Sequence, residues 1–288
     1  MAQLLFRQMT VCGVGLIGAS LALAAKRAGV VGRVVGLGRG QANLSLALQR
    51  GIIDEALTDA ASAAKGADLV VLATPLRQMP AVLAAMVPYL PAEAVVSDVG
   101  SVKGWVVQEL EPLLASRMAL VAVHPVAGRE QSGAAFADAA LFEGHRAIVT
   151  PSKRSSPAAI ERIEALWQAA GARVERMAPE THDALLALAS HLPQIVSSAL
   201  GAALLEERVE ERMAVDYGAG GLRDTTRLAA SSVEIWRDIC LTNRAAILSA
   251  LDRYAAMLAS FRAAVEHGDS GRLAELFLRG RAMRELLK

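Results

Sequence analysis

His124 is the side chain best placed for proton transfer. It follows directly on the Val-rich run Ala119–Val123 and leads into Pro125-Val126-Ala127-Gly128-Arg129-Glu130. Imidazole titrates near neutral pH, so a histidine held where a strand ends suits general-base work. The competing reading is a histidine that only caps a loop. His145, His182 and His267 read as loop or polar-face residues. In the second half, Ser190-His191-Leu192-Pro193-Gln194 interrupts an apolar stretch. Polar groups there need partners or a ligand, unless the segment is only a Pro-kinked helix start. Farther on, Gly221-Leu222-Arg223-Asp224-Thr225-Thr226-Arg227 sets Arg223 and Arg227 four apart, on one helix face. Two guanidinium groups facing a cleft clamp carboxylates. On a solvated face they pair with Asp224 instead.

A second kind of chemistry is written in glycine. Gly13-Val14-Gly15-Leu16-Ile17-Gly18 stands directly after a strand and opens a helix. In a dinucleotide-binding loop the first glycine permits the turn, the second lets backbone approach a pyrophosphate, and the third lets helix and strand pack closely. The helix N-terminus adds free N–H groups and a positive dipole end. The next strand ends Val35-Gly36-Leu37-Gly38-Arg39-Gly40. Gly38 takes the place of the carboxylate that NAD readers present to the ribose 2′-hydroxyl, and Arg39 follows. A guanidinium pairs with a 2′-phosphate where a carboxylate repels it, so NADP is favoured. The alternative is NAD, with Arg39 a solvated surface residue. No metal is expected.

The elements that must position these residues follow from pattern. Strands are expected at Met9–Cys12, Arg33–Leu37, Leu69–Ala73, Ala94–Ser97, Ala119–Val123, Ala147–Thr150 and Arg173–Arg176. Helices are expected between them at Gly18–Ala28, Ala42–Arg50, Arg77–Tyr89, Val102–Ala115 and Pro157–Ala170. This alternation predicts an α/β, Rossmann-like, mostly parallel sheet. Beyond about Pro179 the strands stop and the pattern is helical, rich in Ala, Leu and Arg. The reading is residues 1–179 for the dinucleotide and an all-helical 180–288 for substrate and dimerisation. Ser97-Asp98-Val99-Gly100-Ser101-Val102-Lys103-Gly104 and the His124 segment both fall at strand ends, the rim where open parallel sheets bind ligands.

Composition narrows the class. The 288 residues are 53% hydrophobic and carry a formal net charge of +1, which excludes a disordered chain and argues against nucleic acid as a partner. Cys12 and Cys240 give no disulfide framework, in keeping with a reducing, cytoplasmic setting. Glycines at 13, 15 and 18 suit a turn better than the apolar core of a signal peptide. The uncharged run Ala184–Leu205 has the length of a membrane span, but His191, Pro193 and Gln194 at its centre favour a buried helix of a soluble protein. A long apolar helical half often packs against its own copy, so a homodimer is expected.

Six segments together resemble the prephenate/arogenate dehydrogenase family of tyrosine biosynthesis. They are GVGLIGASLA at Gly13–Ala22, ATP at Ala73–Pro75, SDVGSVKG at Ser97–Gly104, HPVAGRE at His124–Glu130, SHLP at Ser190–Pro193 and GLRDTTRLA at Gly221–Ala229. The resemblance implies NAD(P)-dependent oxidative decarboxylation of a small cyclohexadienyl substrate. It implies that His124 takes the ring-hydroxyl proton and that Ser101 hydrogen-bonds to it and to the substrate. It implies that Arg227 binds a substrate carboxylate, in an ionic network with Glu130 and Asp224 at the site entrance. Arg223 and Lys103 are further cations for the dianion, and Ser190 and His191 join the substrate contacts. Leu16, Ile17, Thr74 and Pro75 join the cofactor contacts. Gln194 departs from the histidine common in relatives, and a neutral amide leans the reading towards arogenate or both substrates. A β-hydroxyacid-type dehydrogenase would use a lysine from the helical half, where none precedes Lys288. A non-catalytic NADP-binding sensor would need neither His124 nor Arg227.

Overall fold

The computed structural model describes residues 4–128 and 131–287. Its first part is one eight-stranded sheet: β1 (Phe6–Cys12), β2 (Val31–Leu37), β3 (Glu55–Leu57), β4 (Leu69–Leu72), β5 (Val95–Asp98), β6 (Ala119–Val126), β7 (Arg146–Pro151) and β8 (Arg173–Arg176). The order is β3-β2-β1-β4-β5-β6-β7-β8, parallel throughout except that β7 runs antiparallel to β6. Strands such as β4, Leu-Val-Val-Leu, are buried along their whole length because helices cover both faces. Two apolar layers result. Val11, Leu21, Val34 and Trp167 fill one, where α1 (Leu16–Arg27), α2 (Gln41–Gln49) and α6 (Pro157–Ala169) pack. Val70, Leu83, Val96 and Val106 fill the other, under α3 (Ala60–Ala64), α4 (Met79–Met86) and α5 (Lys103–Leu110).

Three differences from the sequence reading have local causes. Strand β3 and helix α3 were not anticipated, because three residues at a sheet edge carry no periodic signal. The long helices expected at Arg77–Tyr89 and Val102–Ala115 are cut short. Each α-helix gives way to a 3-10 turn, at Val87–Tyr89 and Glu111–Leu113, that holds a proline, Pro88 or Pro112. Strand β6 continues past Val123 to Val126, because antiparallel pairing with β7 extends it. His124 therefore lies within the strand, opposite Ile148.

From Pro179 onward the chain is helical apart from a small hairpin, β9 (Arg208–Val209) and β10 (Arg212–Met213). Helices α7 (Pro179–Leu186) and α8 (Leu192–Leu204) form one continuous rod through a π-helical turn at Ala187–His191. The wide turn lies just ahead of Pro193, which lacks the N–H for a normal ladder and crowds the carbonyl four residues back. Then come α9 (Gly220–Thr226), α10 (Val233–Thr242), α11 (Arg244–Glu266) and α12 (Ser270–Glu285). Ala187, Ile239, Ile247 and Ala250 join the second apolar layer and seat this half on the sheet domain. The rod itself is not the buried helix expected from composition: Leu185 and Leu188 are 49% and 43% exposed in a single chain. By length and composition it could cross a membrane, but His191 and Gln194 at its middle are buried and hydrogen-bonded within the protein.

Candidate active site

The loop from β1 to α1 forms a cradle whose three glycines do different things. Gly13 has φ of 96°, and a Cβ there would sit 2.6 Å from the Ala73 carbonyl oxygen. A Cβ on Gly18 would run into the Gly13 carbonyl and stand 2.8 Å from Val11. Gly15 is the opposite case: a Cβ would meet nothing within 4 Å. Helix α1 has Gly15 as its N-cap, with no side-chain cap and no acidic residue in its first turn, so its N–H groups remain available to an anion.

Two cavities open from this cradle. One, of about 620 Å³, is lined by Gly13, Gly15, Gly38, Arg39, Thr74 and Pro75 among others. The second, of about 450 Å³, shares Gly15, Thr74 and Pro75 and continues past Leu16, Ile17, Ser101 and Gly128 to Ile235, Asp238 and Ile239 of α10. Together they form a trough over the ends of β1 and β4, where the strand order reverses direction. Thr74 Oγ1 is buried there with no hydrogen-bond partner in the protein. Open space at Gly15, an uncapped helix end and an orphaned hydroxyl fit an extended dinucleotide.

His124 stands on the same rim, at the C-terminal end of β6. Its Nδ1 lies 2.8 Å from His182 Nε2, and His182 Nδ1 lies 2.8 Å from Asp183 Oδ1. Asp183 also accepts the backbone N–H groups of Lys103 and Gly104, each at 2.8 Å, at the start of α5. Burial, and then the neighbouring His182, Lys103 and His191, hold the His124 pKa well below the ordinary histidine value. His191 is also buried. Its Nδ1 is 3.1 Å from Asn243 Nδ2, and burial pushes its pKa down to about 4.

Lys103 is not the cleft-facing cation expected from sequence. Its side chain is fully buried, pairs with Asp98, and donates to the Val123 carbonyl at 2.8 Å. Burial lowers its pKa against the opposing pull of Asp98. His182, read as a polar-face residue, is instead buried and is His124's hydrogen-bond partner. The sign available in the sequence was the His182-Asp183 pair inside an amphipathic stretch. Ser101 lines the second cavity, and no hydrogen bond joins it to His124. Gln194 is buried; its Nε2 donates to the Leu228 carbonyl at 2.8 Å, and its Oε1 has no partner. Ser190 falls in the π turn. Arg223 and Asp224 are exposed on α9, and Arg227 is its C-cap. Neither arginine lines the two cavities. Glu130 lies outside the described residues.

A doubly wound sheet with a glycine cradle at its reversal point, joined to a helical half that closes the cleft, defines the class of two-domain dinucleotide-dependent oxidoreductases. Comparison with known proteins takes this further. The prephenate dehydrogenase nucleotide-binding domain matches residues 21–176, and the prephenate dehydrogenase dimerization domain matches residues 178–279. Cyclohexadienyl dehydrogenase of Zymomonas mobilis is 36% identical over 284 residues, covering 98% of this chain and 97% of its own. Prephenate dehydrogenase from A. aeolicus, solved with hydroxyphenyl propionate and NAD+, superposes with a TM-score of 0.93 at 31% identity over 100% of this chain and 99% of its own. Synechocystis arogenate dehydrogenase gives a TM-score of 0.84 at 27% identity over 98% and 100%. The chain belongs to the prephenate dehydrogenase family.

Proposed function

We propose that this protein oxidatively decarboxylates arogenate, prephenate or both, using NADP in preference to NAD, as a homodimer. The observation that carries the reading is His124 on the same rim of the sheet as the glycine cradle. Residues 1–179 hold the nucleotide; residues 180–288 complete the substrate cleft and meet a second copy across the exposed apolar faces of the rod and of α11 and α12.

A bound nicotinamide supplies the hydride acceptor. His124 accepts the proton of the ring hydroxyl as hydride leaves the same carbon. The resulting dienone loses its ring carboxylate as CO₂, and the electron pair of the broken C–C bond makes the ring aromatic. A positioned base of this kind contributes roughly 10²–10⁴ in rate. Arg223 on α9 and Arg227 at its C-cap supply guanidinium groups for the substrate carboxylates, with Glu130 and Asp224 in their network. Ser101, lining the second cavity, is the hydroxyl contact.

Two features support the finer choices. At the end of β2, Arg39 lines the nucleotide cavity and no carboxylate stands at Gly38. The Leu228 carbonyl can only accept, so it fixes the nitrogen of Gln194 and leaves Oε1 as an acceptor. An acceptor matches the ammonium of arogenate better than the keto group of prephenate. The test is a two-by-two comparison of kcat/KM, each substrate with each nucleotide, followed by absorbance of the reduced cofactor. Arogenate with NADP is expected to be the best pair. No reduced nucleotide from any of the four pairs would overturn the reading.

A further inference from the structure

We propose that Asp183 and His182 are positioning residues that lock His124 in one tautomer and then take up the proton it receives. The proposal rests on the reading of His124 as the base.

The tautomer follows from hydrogen-bond bookkeeping along three side chains. The Asp183 carboxylate is an acceptor, already engaged by the Lys103 and Gly104 backbone N–H groups. His182 Nδ1, 2.8 Å from Asp183 Oδ1, must therefore carry its hydrogen. A neutral imidazole has one N–H, so His182 Nε2 presents a lone pair. His124 Nδ1, 2.8 Å away, must then be the donor. That leaves the lone pair of neutral His124 on Nε2, on the far side of its ring from His182. The base is thus poised by a contact 58 residues away in the chain.

The same chain gives the proton somewhere to go. When Nε2 takes the substrate proton, His124 becomes a cation. Its Nδ1–H can pass to His182 Nε2 as the Nδ1 lone pair is restored. His124 is then neutral with its hydrogen on Nε2, and the charge rests on His182 beside the Asp183 carboxylate. The groups facing His124 make this transfer favourable. Burial opposes a cation on His124 most, and His182 itself, Lys103 from α5 and His191 from the π turn oppose it further, so the two histidines share one proton rather than holding one each. Asp98 from β5 is already committed to Lys103. Asp183, from α7, is the anion in line with the histidine pair. After product release the proton returns by the same route and leaves through Nε2.

The arrangement also joins the two halves of the molecule. Asp183 belongs to the helical half yet accepts from the first residues of α5 in the sheet half. A Cβ on Gly104 would stand 2.9 Å from Asp183 Oδ2, so a side chain there would crowd the carboxylate. The tautomer of His124 is therefore set only when the halves are docked.

The test combines one spectrum with three enzymes. In 15N spectra of the wild-type protein above neutral pH, with His124 assigned by comparison with H124N, Nδ1 should be protonated and Nε2 bare. The reverse tautomer overturns the proposal without any variant having to be active. In steady-state kinetics, H182Q keeps an acceptor for Nδ1 but cannot hold the proton. Its kcat should fall roughly 10–100-fold, with KM within about twofold and the acid limb of the kcat profile moved to lower pH. D183N should move the limb in the same direction. H182Q with unchanged kcat and pH limb, beside an inactive H124N, overturns the relay and leaves the base assignment standing. An H124N enzyme that turns over at a normal rate overturns the base assignment itself, and this proposal with it.

Discussion

The glycine cradle and the histidine chain sit on the same rim of the sheet, at the C-terminal ends of β1 and β6, but are built in opposite ways. The cradle is backbone: consecutive residues at one strand end, where what counts is the side chains that are missing. At Gly13 and Gly18 a Cβ collides with the protein's own main chain; at Gly15 it meets only space. The chain is side chains: His124, His182, Asp183 and Lys103 come from three elements, with α7 reached by contacts that span 58 residues from His124 and 80 from Lys103, and they are held by charge and proton position. A site made of backbone fails by steric intrusion. A site made of buried polar groups fails when one partner is removed, because the others are left desolvated and unsatisfied.

The largest effect expected from this contrast is on Lys103. Its side chain and that of Asp98 are both fully buried. Lys103→Met leaves Asp98 as an unpaired buried charge and should cost about 3–5 kcal/mol of stability. Denaturant unfolding measures it. If Lys103 instead contacted substrate from the cleft, the variant would keep its stability and show a raised KM.

Acid should damage the same region next. Burial holds the folded-state pKa of His191 at about 4, with Asp183 opposing and His182 adding to the drop. A histidine in the unfolded chain titrates near 6.5, so below that pH the unfolded state binds the proton more readily. The stability this group contributes is complete above pH 6.5 and is lost as pH falls towards about 4, at most about 3 kcal/mol. Unfolding free energies across that range should slope accordingly, and H191Q should flatten the slope. An identical slope in both proteins would place the acid sensitivity elsewhere.

The cradle predicts a split within one loop. Gly18→Ala pushes a methyl into the Gly13 carbonyl and should destabilise by about 1–3 kcal/mol. Gly15→Ala, with φ of −88° and open space, should melt within about 0.5 kcal/mol of wild type yet bind nucleotide at least tenfold more weakly. Melting curves and fluorescence titration with the reduced nucleotide check the pair. Equal effects on folding would mean that Gly15, too, is packed against protein.

The same contrast explains what the sequence disclosed. Gly13, Gly15, Gly18 and Arg39 were legible because a backbone turn is encoded by neighbours, and the structure sets all but Gly18 along the nucleotide cavity. Apolar, Val-containing runs mark six of the sheet's eight strands, since strands buried on both faces are written as apolar segments; the expected strand Arg173–Arg176 is present too, but as a mostly exposed edge. Lys103 was misread because lysine is so seldom buried unless paired, and Asp98 becomes its partner only when β5 and α5 fold together. His182 was passed over for the same reason: a histidine on a helix has no visible partner until β6 is laid beside it. The apolar rod was read as core, although a single chain leaves much of it uncovered.

The smallest predicted effect tests Arg39, which follows the end of β2 and meets the nucleotide through its side chain. Arg39 is exposed at the mouth of the nucleotide cavity, so water screens whatever charge it meets. An ion pair of that kind is worth up to about 1 kcal/mol, or roughly a fivefold change in affinity. Arg39→Ala should therefore weaken NADP about fivefold and leave NAD almost unchanged, because only NADP carries a 2′-phosphate for the guanidinium to meet. Titration of the variant with both nucleotides at low and high salt resolves this. The NADP penalty should shrink as salt rises, since the contact is solvent-exposed. Equal weakening of both nucleotides would move Arg39 from the 2′ position to the shared pyrophosphate. The cradle would then recognise only what NAD and NADP have in common.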